Sequence, residues 1–160
     1  NNYGNLCQRV TAFAIKNCNG KIPLEVKFHD EDLLILNKYK DNLDNIRSQI
    51  DNQNINFYID YIVNSLFEAN KYFNDQEPWK KKDDIIRLNT IVYTTLEIVR
   101  KISFLLYPII PESSLKALKI FDIEEKNIKL DSVSNNEYLT KGNNIHKIDI
   151  LFKKIEKNND

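Results

Sequence analysis

The chain has 160 residues, and its 23 basic and 23 acidic side chains give a formal net charge of zero. Proteins that bind the backbone of duplex nucleic acid carry an excess of positive charge, so any contact with nucleic acid here must be local and directed at bases. With 42% hydrophobic residues, 3 Gly and 4 Pro, the composition favours long helices over a turn-rich β fold.

The first predicted helix starts at the beginning of the chain. Leu6, Val10 and Phe13 keep the spacing of three to four residues that places them on one helical face. The Asn and Gly residues within 17–20 end this helix, because both residue types tolerate the left-handed conformation. No start signal precedes the helix, so we expect the chain to be a piece of a longer protein.

The two cysteines and the most apolar segment indicate a cytoplasmic protein. On a continuous first helix, Cys7 and Cys18 would lie about 16 Å apart, too far for a disulfide, so both are predicted to be free thiols. The apolar segment 98–110 contains Arg100 and Lys101 and is too short to span a bilayer. We find no signal peptide, and we predict a cytoplasmic location and no membrane partner.

The second and third helices are predicted from their caps and apolar stripes. Asp30 or Asp32 caps the second helix, with an acidic cluster at its positive end, and Asn54 caps the third. The stripe of the second helix consists of Leu33, Leu36, Leu43, Ile46 and Ile50. The core face of the third helix consists of Ile55, Ile59, Ile62, Leu66, Ala69 and Phe73. Pro78 breaks the third helix and holds Trp79 on a bend.

The fourth helix is predicted to be the longest and the most central. It starts at Asp83 and ends before Pro108, and a short fifth helix runs from Pro111 through Ile120. Its broad apolar face consists of Ile85, Leu88, Val92, Leu96, Val99 and Leu106, widened by Ile91, Ile98, Ile102 and Leu105. Residues 122–146 are expected to form loops with one short helix at most, and the apolar tail 148–155 to pack back on the body.

These elements predict an all-α fold, a helical bundle of four long helices plus short C-terminal helices. We expect residues 1–160 to form one domain, in which 122–160 is a less regular extension packed on the bundle. His29 and His146 lie in different connectors, and neither has Cys, Asp or Glu at metal-ligand spacing. Gly-rich phosphate loops and nucleophile pairs are also missing, so we predict a binding domain without catalytic residues, cofactor or metal.

Three local patterns together resemble one known family. They are Gly-Asn-Leu-Cys-Gln-Arg-Val at 4–10, Ala-Asn-Lys-Tyr-Phe at 69–73 followed by Glu-Pro-Trp at 77–79, and residues 93–106 followed by Pro-Ile-Ile-Pro at 108–111. Their order and separation resemble the C-terminal anticodon-binding domain of bacterial methionyl-tRNA synthetase, a class I aminoacyl-tRNA synthetase. Residues 150–156 resemble the closing segment of that family, with Lys153 and Lys154 where the family has Pro and Arg.

The resemblance implies a function and a set of site residues. Asn5, Arg9 and Trp79 would read the cytosine of the CAU anticodon of methionine tRNA. The supporting positions are Pro78, which shapes the Trp loop, and Asn70 and Tyr72, which position it. The parent would be a methionine-tRNA ligase that uses ATP, with its catalytic domain and any zinc-bearing insert outside this chain. The expected partners are the anticodon loop of methionine tRNA and the parent catalytic domain, and the chain itself is expected to be monomeric.

The chemistry of these side chains fits that task independently. Asn5 and Arg9 are four residues apart on a helix, so both project from one face and offer amide and guanidinium groups to a base edge. Trp79 is the only Trp, and an aromatic platform is the usual partner of an unstacked base in a single-stranded loop. The consecutive lysines 80–82 could contact phosphates of the anticodon stem.

Other roles remain open for the same residues. Trp79 could be a core anchor at a loop, Arg9 a solvated or ion-paired side chain, and Asn5 an ordinary surface residue. For the chain as a whole, one alternative is the anticodon domain of another class I synthetase, of the Leu, Ile, Val or Cys type. The other is a helical protein–protein interaction module that uses the stripe from Leu33 to Ile50.

Overall fold

The computed structural model describes residues 2–148, and the secondary structure among them is helical. The α-helices are α1 (Asn2–Asn17), α2 (Asp30–Asp41), α3 (Leu43–Asp51), α4 (Ile55–Gln76), α5 (Ile85–Leu106) and α6 (Pro111–Leu118). Short 3₁₀ helices are Pro78–Lys80, Lys119–Phe121, Glu125–Asn127 and Leu130–Ser134. The predicted all-α fold is confirmed, with the second of the four predicted long helices divided into α2 and α3.

Helix α5 lies at the centre of the bundle, as its broad apolar face predicted. It contacts α1, α2, α4 and α6, and its side chains are buried from Leu106 back to Arg87, except Asn89. The cap is Asp84, one residue later than predicted, and its carboxylate accepts a hydrogen bond from the backbone N–H of Arg87 at 3.1 Å. Ile85, predicted to belong to the core face, is instead 52% exposed, because it lies at the solvent-facing start of the helix.

The second predicted helix is interrupted at Asn42. The Asn42 side chain donates to the backbone carbonyl of Lys38 at 2.7 Å, and its backbone ψ is near zero, so the chain turns before α3 begins. Asparagine favours such local bonds over continued helix. The cap of α2 is His29, whereas Asp32, predicted as a cap or as part of the acidic cluster at the positive end of the helix, is fully buried.

Helix α4 begins after Asn54, whose side chain accepts from the backbone N–H of Phe57 as a cap should. Its predicted core face is wrong at the N-terminal end, because Ile55 and Ile59 are exposed. Tyr58 occupies the buried position there, and its hydroxyl donates to the backbone carbonyl of Leu105. An amphipathic side chain that finds an acceptor in the interior thus displaces two aliphatic residues from the face.

The segment 122–146 contains two short 3₁₀ helices, where at most one short helix was predicted. It is joined to α5 by three fully buried charged residues, Glu97, Arg100 and Lys101, which we call the extension clamp. Glu97 accepts from the backbone N–H of Leu139 at 2.6 Å and pairs with Arg100 at 2.5 Å. Arg100 also donates to the backbone carbonyls of Ser132 and Asn135 at 2.6 and 2.5 Å, and Lys101 to the Asn136 side-chain oxygen at 2.6 Å.

Three further predictions concern the cysteines, the membrane and the tail. Cys7 and Cys18 are both free, as expected, and burial raises the pKa of the Cys7 thiol to about 12. Between residues 2 and 148, no helix is both long and apolar enough to cross a bilayer. The predicted apolar tail, apart from Ile148, lies outside the described residues.

Candidate nucleic-acid interface

An open cleft lies between α1 and the loop that joins α4 to α5. Its volume is about 400 Å³. The residues that line it, and that define the Trp79 cleft, are Arg9, Ala12, Phe13, Lys16, Asn17, Phe73, Trp79 and Lys82. One wall is therefore aromatic, and the rim carries three basic side chains. A concave site of this size with a few polar groups is typical of small-ligand and nucleobase recognition.

The loop at this cleft is shaped by Pro78. Glu77 adopts the left-handed conformation, with φ 47° and ψ 58°, because a residue before proline is disfavoured in the right-handed α region. A single 3₁₀ turn, Pro78–Lys80, follows at once and is closed by a bond from the Lys80 N–H to the Glu77 carbonyl at 2.9 Å. The turn leaves the Trp79 indole 39% exposed, while Pro78 itself is buried.

The structure brings Arg9 and Trp79 together. The guanidinium carbon of Arg9 lies 5.5 Å from the centre of the Trp79 indole and 4.9 Å from the centre of the Phe73 ring. Phe73 meets Trp79 edge-on, with ring centres 6.0 Å apart. Cation–π contacts of this kind orient a guanidinium over aromatic faces without neutralising its charge. The indole is thus packed on one edge and open to solvent on another.

Asn5 lies one turn before Arg9 on α1 and is exposed, although among residues 2–148 it is not one of those that line the Trp79 cleft. Asn70 is half-buried, and its amide donates to the backbone carbonyl of Leu66 at 3.0 Å, within its own helix. Tyr72 is buried, and its hydroxyl donates to the carboxylate of Asp32. Burial, together with that neighbouring carboxylate, raises the pKa of the Tyr72 phenol.

The basic side chains on the rim of the cleft have no acidic partner among residues 2–148. Within the described residues, Arg9, Lys16 and Lys82 form no ion pair within 4.0 Å, whereas Lys80 pairs with Glu77 at 2.9 Å. Of the three consecutive lysines, Lys82 is therefore the one that faces the cleft. In a chain of zero net charge, this is a local accumulation of basic side chains beside an exposed aromatic ring.

A buried ionic network lies beneath the loop, and the sequence analysis missed it. Arg87 donates to both carboxylate oxygens of Asp32, at 2.7 and 3.0 Å, and to the side-chain oxygen of Gln76 at 2.7 Å. With the Tyr72 hydroxyl on Asp32, these four residues form what we call the loop anchor. Burial alone would raise the pKa of Asp32, but the bonds from Arg87 and Tyr72 outweigh it and hold that pKa below its usual value. In the sequence, this network was indicated only by Arg87, because a basic residue one turn before Ile91 interrupts the predicted apolar face of that helix.

The described part of the chain contains no candidate metal centre. Between residues 2 and 148, no three His, Cys, Asp or Glu side chains come close enough together to hold a metal ion. The extension clamp contains titratable groups, but it is sealed from solvent by the 130–139 segment. The Trp79 cleft is therefore the site that combines exposure, an aromatic surface and unpaired charge.

Comparison with known proteins identifies relatives over most of the chain. The model of a family described as the anticodon binding domain of methionyl tRNA ligase matches residues 22–160. A methionine–tRNA ligase of Brucella suis is 36% identical over 77% of this chain, and one of Thermotoga maritima is 31% identical over 98% of it. The chain spans about a quarter of the length of these relatives, 24% and 25% respectively.

The solved structures that match give the same result. The apo form of Mycobacterium tuberculosis methionyl-tRNA synthetase aligns with a TM-score of 0.87 and 30% identity, over 96% of this chain and 32% of that one. The same enzyme bound by methionyl-adenylate aligns equally well, with a TM-score of 0.87 over 96% of this chain and 31% of that one.

Proposed function

Because this chain belongs to the family of anticodon-binding domains of methionyl-tRNA ligases, we propose that it recognises the CAU anticodon of methionine tRNA. The observation that carries the proposal is the placement of Arg9 and Trp79 in one solvent-open cleft, with the guanidinium 5.5 Å from the indole centre. In this arrangement an unstacked cytosine would contact the exposed indole and present its Watson–Crick edge to α1.

The donors and acceptors at the cleft suit cytosine. Its O2 and N3 atoms are acceptors that a planar guanidinium can reach together, so Arg9 would supply the main base contact. Its exocyclic amine is a donor, for which the side-chain oxygen of Asn5, one turn before Arg9 on α1, is a suitable acceptor. Stacking on Trp79 would contribute about 1–3 kcal/mol, and a bidentate base contact a similar amount of discrimination.

The unpaired basic side chains support a nucleotide over an uncharged ligand. Lys16 and Lys82 lie on the rim beside Trp79, and phosphate groups flanking the bound base would come within reach of them. Because the chain has no net charge, binding would depend on these local cations and would weaken with added salt. Of the three consecutive lysines 80–82, we therefore propose that Lys82 contacts a phosphate.

The proposal extends to the whole protein. The relatives are methionine–tRNA ligases about four times as long as this chain, so we place a catalytic domain that activates methionine with ATP outside it. Any zinc would belong to that domain. The anticodon loop and the catalytic domain would be the two partners of this chain, which would act as a monomer in the cytoplasm.

A binding experiment on the 160-residue chain tests the proposal. Fluorescence anisotropy would compare a stem-loop carrying CAU with the same stem carrying a scrambled loop. Trp79→Ala and Arg9→Ala should each fold normally and lose most of the preference for CAU. The matched controls are Phe67→Ala, an exposed aromatic residue of α4, and Arg47→Ala, an exposed arginine of α3, which should keep that preference. Equal affinity of the wild-type chain for both loops would refute the proposal.

The two alternatives for the whole chain make different predictions in related assays. Replacing CAU by the anticodons of the Leu, Ile, Val and Cys tRNAs should weaken binding, whereas a domain of another class I synthetase would prefer one of those loops. The interaction-module alternative required an exposed stripe from Leu33 to Ile50. In the structure, Leu36 and Ile46 on that stripe are buried in the core and Ile50 is exposed, so the stripe does not form a continuous surface for a partner. A monomeric elution volume in size-exclusion chromatography would agree with that reading.

A further inference from the structure

The pose of Trp79 depends on a short loop, in which Pro78 is buried and Trp79 packs against Phe73 and Arg9. Residues 77–84 connect α4 to α5, and within the loop the backbone bonds are local, from Lys80 to Glu77, from Lys81 to Pro78 and from Asp84 to Lys81. Such bonds set the shape of each turn but not the direction in which the loop leaves the bundle. Something else must hold the two ends of the loop together.

Arg87 joins those two ends. Gln76 is the last residue of α4, Arg87 lies in the first turn of α5, and the guanidinium donates to the Gln76 side-chain oxygen at 2.7 Å. The backbone N–H of Arg87 is in turn bonded to the cap residue Asp84 at 3.1 Å. One residue therefore fastens the helix before the loop and the cap after it.

The guanidinium is itself fixed by the first turn of α2. Asp32 accepts two bonds from it, and the same carboxylate accepts from the backbone N–H of His29 at 2.8 Å and from the Tyr72 hydroxyl. A bidentate pair between planar groups leaves the guanidinium little freedom to rotate. The nitrogen that donates to Gln76 also donates to Asp32 and, at 3.2 Å, to Glu31, so α2 sets the direction from which it meets Gln76.

We infer that Arg87 is a positioning residue of the Trp79 cleft: its guanidinium, oriented by buried Asp32, holds Gln76 and thereby sets the pose of the Trp79 indole against Arg9. The test of this inference by RNA affinity rests on the proposed function. A second test, by the fluorescence of Trp79, needs no RNA. Trp79 is the only Trp in the chain, so its fluorescence reports this loop alone.

The sharpest test removes the bond at the base of the loop and leaves the Asp32–Arg87 pair intact. Gln76→Ala does this at a half-buried position, so the chain should still fold. The matched control is Asn136→Ala. Asn136 is also half-buried, and its side-chain oxygen also accepts a bond from a basic residue of α5, here the buried Lys101 of the extension clamp. Gln76→Glu restores a side-chain acceptor for Arg87 and serves as the conservative rescue.

Quenching of Trp79 fluorescence by acrylamide and affinity for the CAU stem-loop would be measured for all four chains. We expect Gln76→Ala to raise the quenching constant about twofold and to weaken RNA binding roughly five- to tenfold, the effect of one hydrogen bond of ordinary strength. Asn136→Ala and Gln76→Glu should match the wild type in both measurements.

The outcomes separate this inference from the proposed function. Unchanged quenching in Gln76→Ala, or an equal change in Asn136→Ala, would overturn the positioning role of Arg87 whatever the RNA does. If quenching changes as expected but the wild-type chain does not prefer CAU, the positioning role stands and the proposed function fails.

Discussion

The loop anchor and the extension clamp both use charged side chains of α5, but the two networks serve different purposes. In the loop anchor, Arg87 bonds to side chains, those of Asp32 and Gln76, and the network reaches solvent through exposed Glu31, 3.2 Å from the guanidinium. In the extension clamp, Arg100 and Glu97 are fully buried and bond largely to backbone groups of the 130–139 segment.

The difference follows from what each network has to hold. The 130–139 segment has no α-helix, so its carbonyl and N–H groups need partners from elsewhere when they are buried. Arg100 and Glu97 supply those partners, and Lys101 adds a bond to the Asn136 side chain. The Trp79 loop satisfies its own backbone groups, and Arg87 only needs to fix its direction. The clamp should therefore matter for folding and the anchor for recognition.

The largest expected effect is that of Arg100→Met in the extension clamp. The substitution leaves the Glu97 carboxylate buried without its cation and deprives the Ser132 and Asn135 carbonyls of donors, so we expect a loss of about 3–5 kcal/mol of unfolding free energy. Urea denaturation followed by circular dichroism measures it. The double variant with Glu97→Gln should recover part of the loss, and a loss below about 1 kcal/mol would contradict the role of the clamp.

Asp32→Asn in the loop anchor should cost less, about 2–3 kcal/mol, because Arg87 keeps Glu31 and Gln76 as acceptors and a partial route to solvent. Unlike Arg100→Met, it should also alter the fluorescence of Trp79 in the folded protein. A spectrum identical to that of the wild type would show that the anchor does not act on the loop.

The same substitution has a pH signature. The pKa of Asp32 is lowered in the folded state, so its contribution to stability is present above the unfolded value of about 3.9 and is lost as the pH falls below it. The unfolding free energy of the wild type should therefore drop more steeply between about pH 4 and pH 2 than that of Asp32→Asn. Parallel curves would mean that the carboxylate does not carry the anchor.

Sequence periodicity was sufficient to predict the helices, but it did not predict the break between α2 and α3. The ends of α1 and α4 and the central place of α5 follow from local caps, prolines and apolar spacing. The stripe from Leu36 to Ile46 continues across Asn42 without a change of period, so nothing in the pattern marks the turn there. A single side-chain bond to the Lys38 carbonyl decides it.

The candidate site could be predicted only where its determinants are local. Pro78 acts on its neighbours in the chain, so the bend that exposes Trp79 was predictable from three residues. Asp32 and Arg87 are 55 residues apart and meet only because α2 packs on α5. The sequence predicted only that Asp32 caps the helix or belongs to the acidic cluster at its positive end, and neither role requires a basic partner 55 residues away.

A smaller effect, on the pH dependence of the unfolding free energy, is expected from Lys101 of the extension clamp. Burial, and to a lesser degree the neighbouring Arg100, lowers the pKa of Lys101 to about 7, whereas an unfolded lysine titrates near about 10.4. Between these values the unfolded chain binds more protons, so stability should rise with pH, by about 2 kcal/mol between about pH 7 and pH 9. Within the same range, ionisation of the unfolded cysteines at a pKa of about 8.5 opposes this rise, since burial raises the folded pKa of Cys7 to about 12 and of Cys18 to about 11.

The measurement is the unfolding free energy of the wild type and of Lys101→Met across this pH range. The wild-type curve should rise by about 2 kcal/mol relative to the variant curve between about pH 7 and pH 9, because the variant lacks the group that loses its proton on folding but keeps the opposing effect of the cysteines. Trp79 fluorescence should not follow the titration in either protein. A titration of Trp79 with the same midpoint would link the two networks and contradict their separation.

The smallest expected effect concerns the strain in the Trp79 loop. Glu77 occupies the left-handed region at φ 47°, which costs a residue with a Cβ about 1 kcal/mol and costs glycine almost nothing. Its pairing with Lys80 is exposed and contributes little in return. Glu77→Gly should therefore raise the unfolding free energy by about 0.5–1 kcal/mol, whereas Glu77→Ala, which loses the same pair but keeps the Cβ, should not. If the loop anchor sets the direction of the loop, Glu77→Gly will leave Trp79 quenching unchanged, because Arg87 and Gln76 still hold both ends. Increased quenching would show instead that the left-handed residue itself directs the indole.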